Sequence, residues 1–218
     1  MNIKLQATRV LCYGDSNTWG RSGASVDRYT VGVRWTSLLQ AKLGNDFEVI
    51  EEGLRSRTTD IDDDDPQFPG RNGLAYLRPC LESHNPVDVV ILWLGTNDFK
   101  TKFNREAKDV AEALKTLITE VKNVASSKKN QLPKIILVSP PLIKEEVLKP
   151  HSQFAGAGRK SKELAPLIKN LAEETGCEFV NLSSIEPGDF DGVHLEPEAH
   201  QSVANELYKI FSYYANNY

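Results

Sequence analysis

Five short runs of β-branched and other apolar residues alternate with five helix-like stretches, and this alternation limits the possible folds more than any other feature. Each run predicts a strand, and the runs cover residues 9–13, 47–51, 88–94, 134–139 and 178–182. The helix-like stretches cover residues 34–43, 74–83, 106–126, 160–175 and 197–214. Strands that alternate with helices form parallel sheets joined by right-handed crossovers. We therefore expect an α/β protein with three layers, αβα, around a doubly wound five-stranded parallel sheet.

The length and charge of the chain narrow its organisation and partners. Its 218 residues contain no repeat, low-complexity segment or linker that would divide them, so residues 1–218 are expected to form a single domain. The net charge of −4 repels phosphate backbones and anionic lipid headgroups. The longest strongly apolar run, residues 89–94, is far too short to span a bilayer. We expect neither nucleic acid nor a membrane as a partner.

The cysteines indicate a reducing environment. Cys12, Cys80 and Cys177 are odd in number, form no CxxC pair and have no histidine at zinc-finger spacing. They therefore suggest neither a disulfide framework nor a structural zinc site. Residues 1–11 lack the apolar centre of a secretory signal peptide. These features favour a cytoplasmic protein.

Polar, glycine-rich segments follow the predicted strands. In an open parallel sheet, ligands bind outside the carboxyl ends of the strands, so a functional site is expected among these segments. The first strand runs into GDSN at 14–17, the second is followed by GLRS at 53–56, and the third runs into GTND at 95–98. The last predicted strand is followed, after a short loop, by DGVH at 191–194.

Three residues in these segments suit nucleophilic catalysis. A serine hydroxyl attacks esters at neutral pH only if a base takes its proton. Of the four histidines, only His194 has a nearby carboxylate on the same loop, that of Asp191 three residues earlier. The carboxylate can accept from one ring nitrogen and leave the other free to face Ser16. Ser, then Asp, then His is also the chain order of α/β hydrolases.

The four segments resemble the signature blocks of the SGNH, or GDSL, hydrolases, named for a serine, a glycine, an asparagine and a histidine that act together. The runs GDSNTWG, GLRSRTT, LGTND and DGVH are most similar to the bacterial arylesterase and acyltransferase branch. The resemblance extends from about residue 9 to the last helix and departs at Asn17, where the name-giving motif has Leu. It implies a flavodoxin-like αβα fold and a serine esterase that needs no metal or cofactor.

The resemblance also assigns hydrogen-bond donors to the tetrahedral intermediate. They are the backbone amides of Ser16 and Gly53 and the side-chain amide of Asn97, and a glycine there would permit close backbone approach. Trp19 and Asn17 are expected to line the substrate pocket. The resemblance further implies a small-molecule ester with a small acyl group such as acetyl, acyl transfer to alcohols or hydrogen peroxide, and a homo-oligomer.

Taken alone, each segment also fits a structural role, as a helix cap, a turn glycine, an Asx turn or a surface turn. Asp98 is expected to support its loop, and His200 to be a packing or surface histidine. The acidic run at 62–65 is typical of a solvated loop, because calcium loops need spaced ligands. The segment 156–161 lacks the glycine that precedes the lysine of a phosphate-binding loop.

Three other functions stay open on the sequence. A carbohydrate O-acetylesterase or an acyl-CoA thioesterase of the same superfamily would keep the site and differ only in the lining of the pocket. A non-catalytic flavodoxin-like nucleotide-binding module would instead use the strand ends for phosphate contacts.

Overall fold

The strands form one parallel sheet, as the alternation predicts. The structure, a computed structural model, describes residues 6–25, 27–125 and 131–215. The strands are β1 (Thr8–Gly14), β2 (Phe47–Gly53), β3 (Val89–Trp93), β4 (Lys134–Ser139) and β5 (Glu178–Asn181). They lie in the order β2-β1-β3-β4-β5, and every neighbouring pair is parallel. The doubly wound five-stranded α/β fold is therefore confirmed.

Six α-helices of the described residues connect and follow the strands. They are α1 (Ser16–Trp19), α2 (Trp35–Leu43), α3 (Gly73–His84), α4 (Ala107–Val124), α5 (Ala157–Thr175) and α6 (Pro197–Ala215). Short 3₁₀ turns lie at Gly44–Asp46, Asn97–Phe99, Thr101–Phe103 and Glu145–Val147. Ser126, the predicted end of the third helix-like stretch, lies outside the described residues. So do residues 1–5 of the N-terminal segment that was compared with a signal peptide.

Helices cover both faces of the sheet. Side chains alternate between the faces along a strand, so neighbouring residues enter different cores. Leu11 and Tyr13 of β1 pack with side chains of α3, α4 and α5, whereas Val10 and Cys12 pack with those of α2 and α6. Burial on both sides explains why β3 is apolar at every position, because no side chain of this strand faces water.

Helix α4 shows how the sequence pattern determines packing. Its apolar residues recur at steps of three and four, and all of them are buried: Val110, Leu114, Leu117, Ile118 and Val121. A capping box closes its N-terminus, where the Glu106 amide donates to Asp109 at 2.9 Å. Each buried leucine contributes roughly 2 kcal/mol relative to exposure. This packing holds α4 against the sheet, and α4 follows the GTND segment in the chain.

The register of three strands brings their ends together. Gly14 at the end of β1 is paired with Gly53 at the end of β2 and with Trp93 at the end of β3. Parallel strands that end at one level release the following segments at the same edge of the sheet. The GDSN, GLRS and GTND segments therefore meet there.

Neither membrane spans nor disulfide bonds contribute to the described structure. Within residues 6–25, 27–125 and 131–215, no helix combines the length and apolar character needed to cross a bilayer. All three cysteines are free thiols, and Cys12 and Cys80 are buried in the core.

Candidate active site

Ser16 is the first residue of the short helix α1, directly after β1. The preceding residue, Asp15, caps this helix by accepting a hydrogen bond from the Asn17 amide at 2.9 Å. The cap holds the turn so that the Ser16 hydroxyl lies at the edge of the sheet with only 5% of the residue exposed. Its Oγ is 2.9 Å from Nε2 of His194.

The loop before α6 holds His194 and Asp191 in one compact turn. One carboxylate oxygen of Asp191 accepts the backbone amides of Val193 and His194, each at 3.0 Å. The other oxygen is 2.6 Å from Nδ1 of His194. Gly192 has φ of +69°, a left-handed conformation that lets the chain turn between the two residues. A serine, an imidazole and a carboxylate therefore form a continuous hydrogen-bonded chain.

The surroundings of His194 keep its ring neutral near pH 7. Burial lowers the pKa of His194, Asp191 partly offsets this effect, and the positive charges of Arg21 and Arg55 lower the pKa further. Burial would by itself raise the pKa of Asp191, but hydrogen bonds from His194 and Val193 outweigh it and hold that pKa below its ordinary value. A neutral imidazole beside an ionised carboxylate is the state that can accept a proton from a hydroxyl.

Two residues with unused N–H groups, Asn97 and Ser56, line the same cavity as Ser16. Asn97, in the turn after β3, is buried, and its Nδ2 donates one hydrogen to the Arg57 carbonyl at 3.1 Å. A carboxamide nitrogen has two hydrogens, so the second is left for another acceptor. Ser56 lies in the turn after β2 with φ of +64° and lines the same cavity as Ser16 and Asn97. Among the described residues, none accepts a hydrogen bond from the Ser56 amide.

Gly53, in contrast, does not face this cavity. The amide after it, that of Leu54, donates to the Gly14 carbonyl of β1. Successive amides of a strand point in opposite directions, so the Gly53 amide points away from β1 toward the outer edge of the sheet. A Cβ at Gly53 would lie 2.2 Å from the Trp19 nitrogen. The glycine therefore permits α1 to pack closely, and Ser56 is the residue of the GLRS segment that lines the cavity together with Arg55.

Asn17 and Trp19 also lie elsewhere than expected. Asn17 is buried under the loop before α6, where its side chain bonds to the backbone of Val193 and Leu195, and it does not line the cavity. Trp19 does not line it either; its ring carries the guanidinium of Arg55, which does. Both positions were expected in the pocket wall because they follow Ser16 closely, but the turn of α1 directs them away.

The cavity over Ser16 is small and strongly charged. Its volume is about 120 Å³, and Ser16, Ser56, Asn97 and His194 all line it. Its charged lining residues are Arg21, Arg55, Asp63, Asp65, Lys100 and Lys102. A wider cavity of about 490 Å³ lies next to this one, and Arg21 and His194 are among the residues that line both cavities. The reactive side chains therefore lie where two compartments meet.

Asp63 and Asp65 of the acidic run contribute to this lining, whereas Asp62 and Asp64 are exposed, as expected for a solvated loop. The Asp63 side chain is 1% exposed and pairs with Lys102 and, at 3.7 Å, with the buried Lys100. Asp98 supports its loop as expected: it is fully buried, accepts the Thr59 amide at 3.1 Å and pairs with Arg105 at 3.0 Å. No local sequence pattern predicts the pairing of Asp63, because both of its lysine partners lie in the distant segment that follows β3.

Other titratable groups stand apart from the cavity. His200 is fully buried and packs edge-on against Tyr29, so its packing role is confirmed. Glu52, Cys80 and His84 bring one oxygen, one sulfur and one nitrogen within 4.8 Å of one another, donor types that zinc accepts. His84 Nε2 is 2.8 Å from the Glu52 carboxylate, so these two side chains are already hydrogen-bonded to each other. The sequence analysis did not predict this cluster, because Glu52 lies on β2 and the other two residues lie on α3, and the fold brings them together.

Comparisons with known proteins find a matching family and similar solved structures. A model of the GDSL-like Lipase/Acylhydrolase family matches residues 12–202. The M. smegmatis aryl esterase is 38% identical with a TM-score of 0.85, covering 94% of this chain and 99% of that one. The carbohydrate acetylesterase Est24 from Sinorhizobium meliloti is 34% identical with a TM-score of 0.84, covering 94% and 98%. A comparison with curated proteins gives no match.

Proposed function

Because the chain belongs to the GDSL-like Lipase/Acylhydrolase family and is a carboxylic ester hydrolase, we propose that Ser16, His194 and Asp191 act as its catalytic triad. One observation carries the proposal. Nε2 of His194 is 2.9 Å from the Ser16 hydroxyl while Nδ1 is 2.6 Å from the Asp191 carboxylate. This is the arrangement in which a serine loses its proton to a histidine that a carboxylate orients.

The reaction then has two halves. Oγ of Ser16 attacks the ester carbonyl as Nε2 of His194 takes its proton, and the resulting tetrahedral intermediate collapses to an acyl-enzyme when His194 protonates the leaving alcohol. Water enters, gives a proton to His194 and attacks the acyl carbon, and Ser16 is released with the proton returned. Asp191 stays ionised throughout and orients the imidazolium.

The negative oxygen of the intermediate is held by three N–H donors. They are the backbone amides of Ser16 and Ser56 and Nδ2 of Asn97. Ser56 takes the place first expected for Gly53, because its amide has no acceptor within the described residues and the residue lines the cavity. Each donor of this kind is typically worth ~10²–10³ in rate.

The small cavity favours a short acyl group such as acetyl. A volume of about 120 Å³ leaves little room beyond the reacting carbonyl and a short chain. The solved relatives include an aryl esterase and a carbohydrate acetylesterase, so aryl acetates and acetylated sugars are the two substrate classes to compare. We also propose that alcohols or hydrogen peroxide accept the acyl group in place of water, which ester exchange with added ethanol would test.

An active-site label tests the mechanism directly. An aryl phosphonate should add one equivalent of mass, and peptide mapping should locate it on Ser16. The Ser16→Ala variant should neither take the label nor hydrolyse aryl acetates. Near-native hydrolysis by that variant, or a label on another residue, would overturn the assignment.

Two expectations about the setting stay predictions. We propose that the chain forms a homo-oligomer, for which size-exclusion chromatography with light scattering is the test, and a lone 24.3 kDa species is the contrary result. The cytoplasmic location inferred from the cysteines also stays a prediction.

A further inference from the structure

We propose that Arg55 binds an anionic group, specifically a carboxylate, carried by the ester substrate. This inference rests on the proposed function, since it places the anion in the cavity over Ser16. It defines a substrate class, esters that carry a carboxylate on their acyl or alcohol part.

Arg55 is held in place by two aromatic rings. Its guanidinium carbon lies 5.5 Å from the centre of the Trp19 ring and 5.8 Å from that of Phe68. Stacking on rings fixes the plane of a guanidinium while its edge N–H groups stay available. Phe68 and Arg55 both line the cavity that Ser16 lines, so the guanidinium is held beside that cavity. A planar, preorganised guanidinium matches a carboxylate through paired hydrogen bonds.

Arg55 also lacks a counter-ion, unlike the other cations of the cavity. Arg21 pairs with Asp191 at 3.2 Å, and Lys100 and Lys102 pair with Asp63. Within the described part of the chain, no carboxylate forms an ion pair with Arg55. A half-buried guanidinium without a partner has lost hydration and gained no ion pair in return. A substrate carboxylate would supply that partner.

The wider compartment beyond His194 extends the positive surface. Lys149 lines it together with Arg21, and its carboxylate, that of Asp191, is already bound to His194 and Arg21. The chain as a whole carries a net charge of −4, so a cationic cleft is a local feature of an acidic molecule. A cleft of one sign concentrates ligands of the opposite sign.

One internal competitor must be considered. Asp65 lines the same cavity, and among the residues described it forms no ion pair. Its Oδ1 accepts the Gln67 amide at 2.9 Å, which holds the side chain within its own loop. Its negative charge nevertheless opposes a bound carboxylate. Removing it should therefore strengthen the preference for an anionic ester.

The test compares each anionic ester with its uncharged methyl ester. One pair, mono-4-nitrophenyl glutarate and its methyl ester, places the carboxylate on the acyl side. The other pair, 4-acetoxybenzoate and its methyl ester, places it on the alcohol side. Values of kcat/KM are measured at low salt with the rate of Ser16→Ala subtracted, and the anionic-to-neutral ratio is the readout.

We expect a ratio of about ten or more in at least one pair, as a charge-assisted contact would give. Arg55→Gln should lower that ratio about tenfold, and Asp65→Asn should raise it. Arg28→Gln is the matched control, because Arg28 lies 5.4 Å from the same Trp19 ring but pairs with Glu51 and does not line the cavity. Its ratio should equal that of the wild type.

The outcomes separate the two proposals. Suppose that the neutral esters are cleaved in a Ser16-dependent way. Anionic-to-neutral ratios near one in both pairs, or ratios that Arg55→Gln does not change, would then overturn the anion site and leave the esterase function intact. An equal loss of the ratio in Arg28→Gln would also overturn it, by assigning the effect to the Trp19 ring. No Ser16-dependent cleavage of any of the four esters would refute the proposed function itself.

Discussion

The side chain of Asn17 is hydrogen-bonded to the backbone on both sides of His194. Its Nδ2 donates to the Val193 carbonyl at 3.3 Å, and its Oδ1 accepts the Leu195 amide at 3.1 Å. Asn17 directly follows Ser16, so one residue connects α1 to the loop that holds His194. The separation of Ser16 and His194 therefore depends on a third side chain that touches neither reacting atom.

Replacing Asn17 with Ala should slow catalysis more than it reduces the folded fraction. The substitution leaves two buried backbone groups unpaired, which costs roughly 1–3 kcal/mol each in stability, and it frees the His194 loop. We expect kcat per phosphonate-titrated site to fall by at least about tenfold, since small misplacements of reacting groups are costly. A rate per titrated site equal to the wild type would show that Asn17 supports stability alone.

Replacing Arg21 with Gln should shift the acid limb of the pH–rate profile to higher pH. Nη1 of Arg21 lies 2.6 Å from Nδ1 and 3.1 Å from Nε2 of His194, and its charge lowers the pKa of that histidine. The base must be neutral, so kcat/KM rises with pH through the pKa of His194. Without the arginine that pKa rises, and more alkali is needed for the same activity.

The control for this experiment is Arg28→Gln, whose guanidinium pairs with Glu51 and is not among the groups that shift His194. Its profile should coincide with that of the wild type. A profile of Arg21→Gln that moves to lower pH would contradict the electrostatic argument.

Replacing Asn97 with Ala should lower kcat by ~10²–10³ with little change in KM. The carboxamide donates to the Arg57 carbonyl and has a second hydrogen for the substrate oxygen, which matters most once that oxygen is negative. Steady-state kinetics on an aryl acetate provides both constants. A loss confined to KM would assign Asn97 to ground-state binding.

Replacing Gly53 with Ala should destabilise the fold and displace α1. The new Cβ would lie 2.2 Å from the Trp19 nitrogen, a backbone atom that cannot move without the helix. Overpacking of this kind typically costs about 1–3 kcal/mol. Gly32→Ala is the matched control, because a Cβ there meets nothing within 4 Å. Equal midpoints of thermal unfolding for the two variants would refute the close-packing role of Gly53.

The sequence predicted the strands, the helices and the contact of Asp191 with His194, because each depends on short-range patterns. Apolar spacing alone identified the buried face of α4. The spacing of three residues between Asp191 and His194 sufficed for their contact, since one turn joins them.

The sequence could not predict features that depend on which way a backbone or side-chain group points, or on contacts between distant segments. Whether the amide of Gly53 or that of Ser56 faces the cavity follows from the register of β2 against β1. The contact of Arg55 with Trp19 and Phe68 joins three segments of the chain, and no local pattern indicates it. The burial of Asp63 likewise needs a lysine from the segment after β3.

Ser16 and His194 are separated by 178 positions along the chain, and the docking of one loop against α1 brings them together. Loss of that docking would disconnect the two while the five strands stayed paired. Esterase activity should therefore report partial melting of the molecule at temperatures where its circular dichroism spectrum has not yet changed.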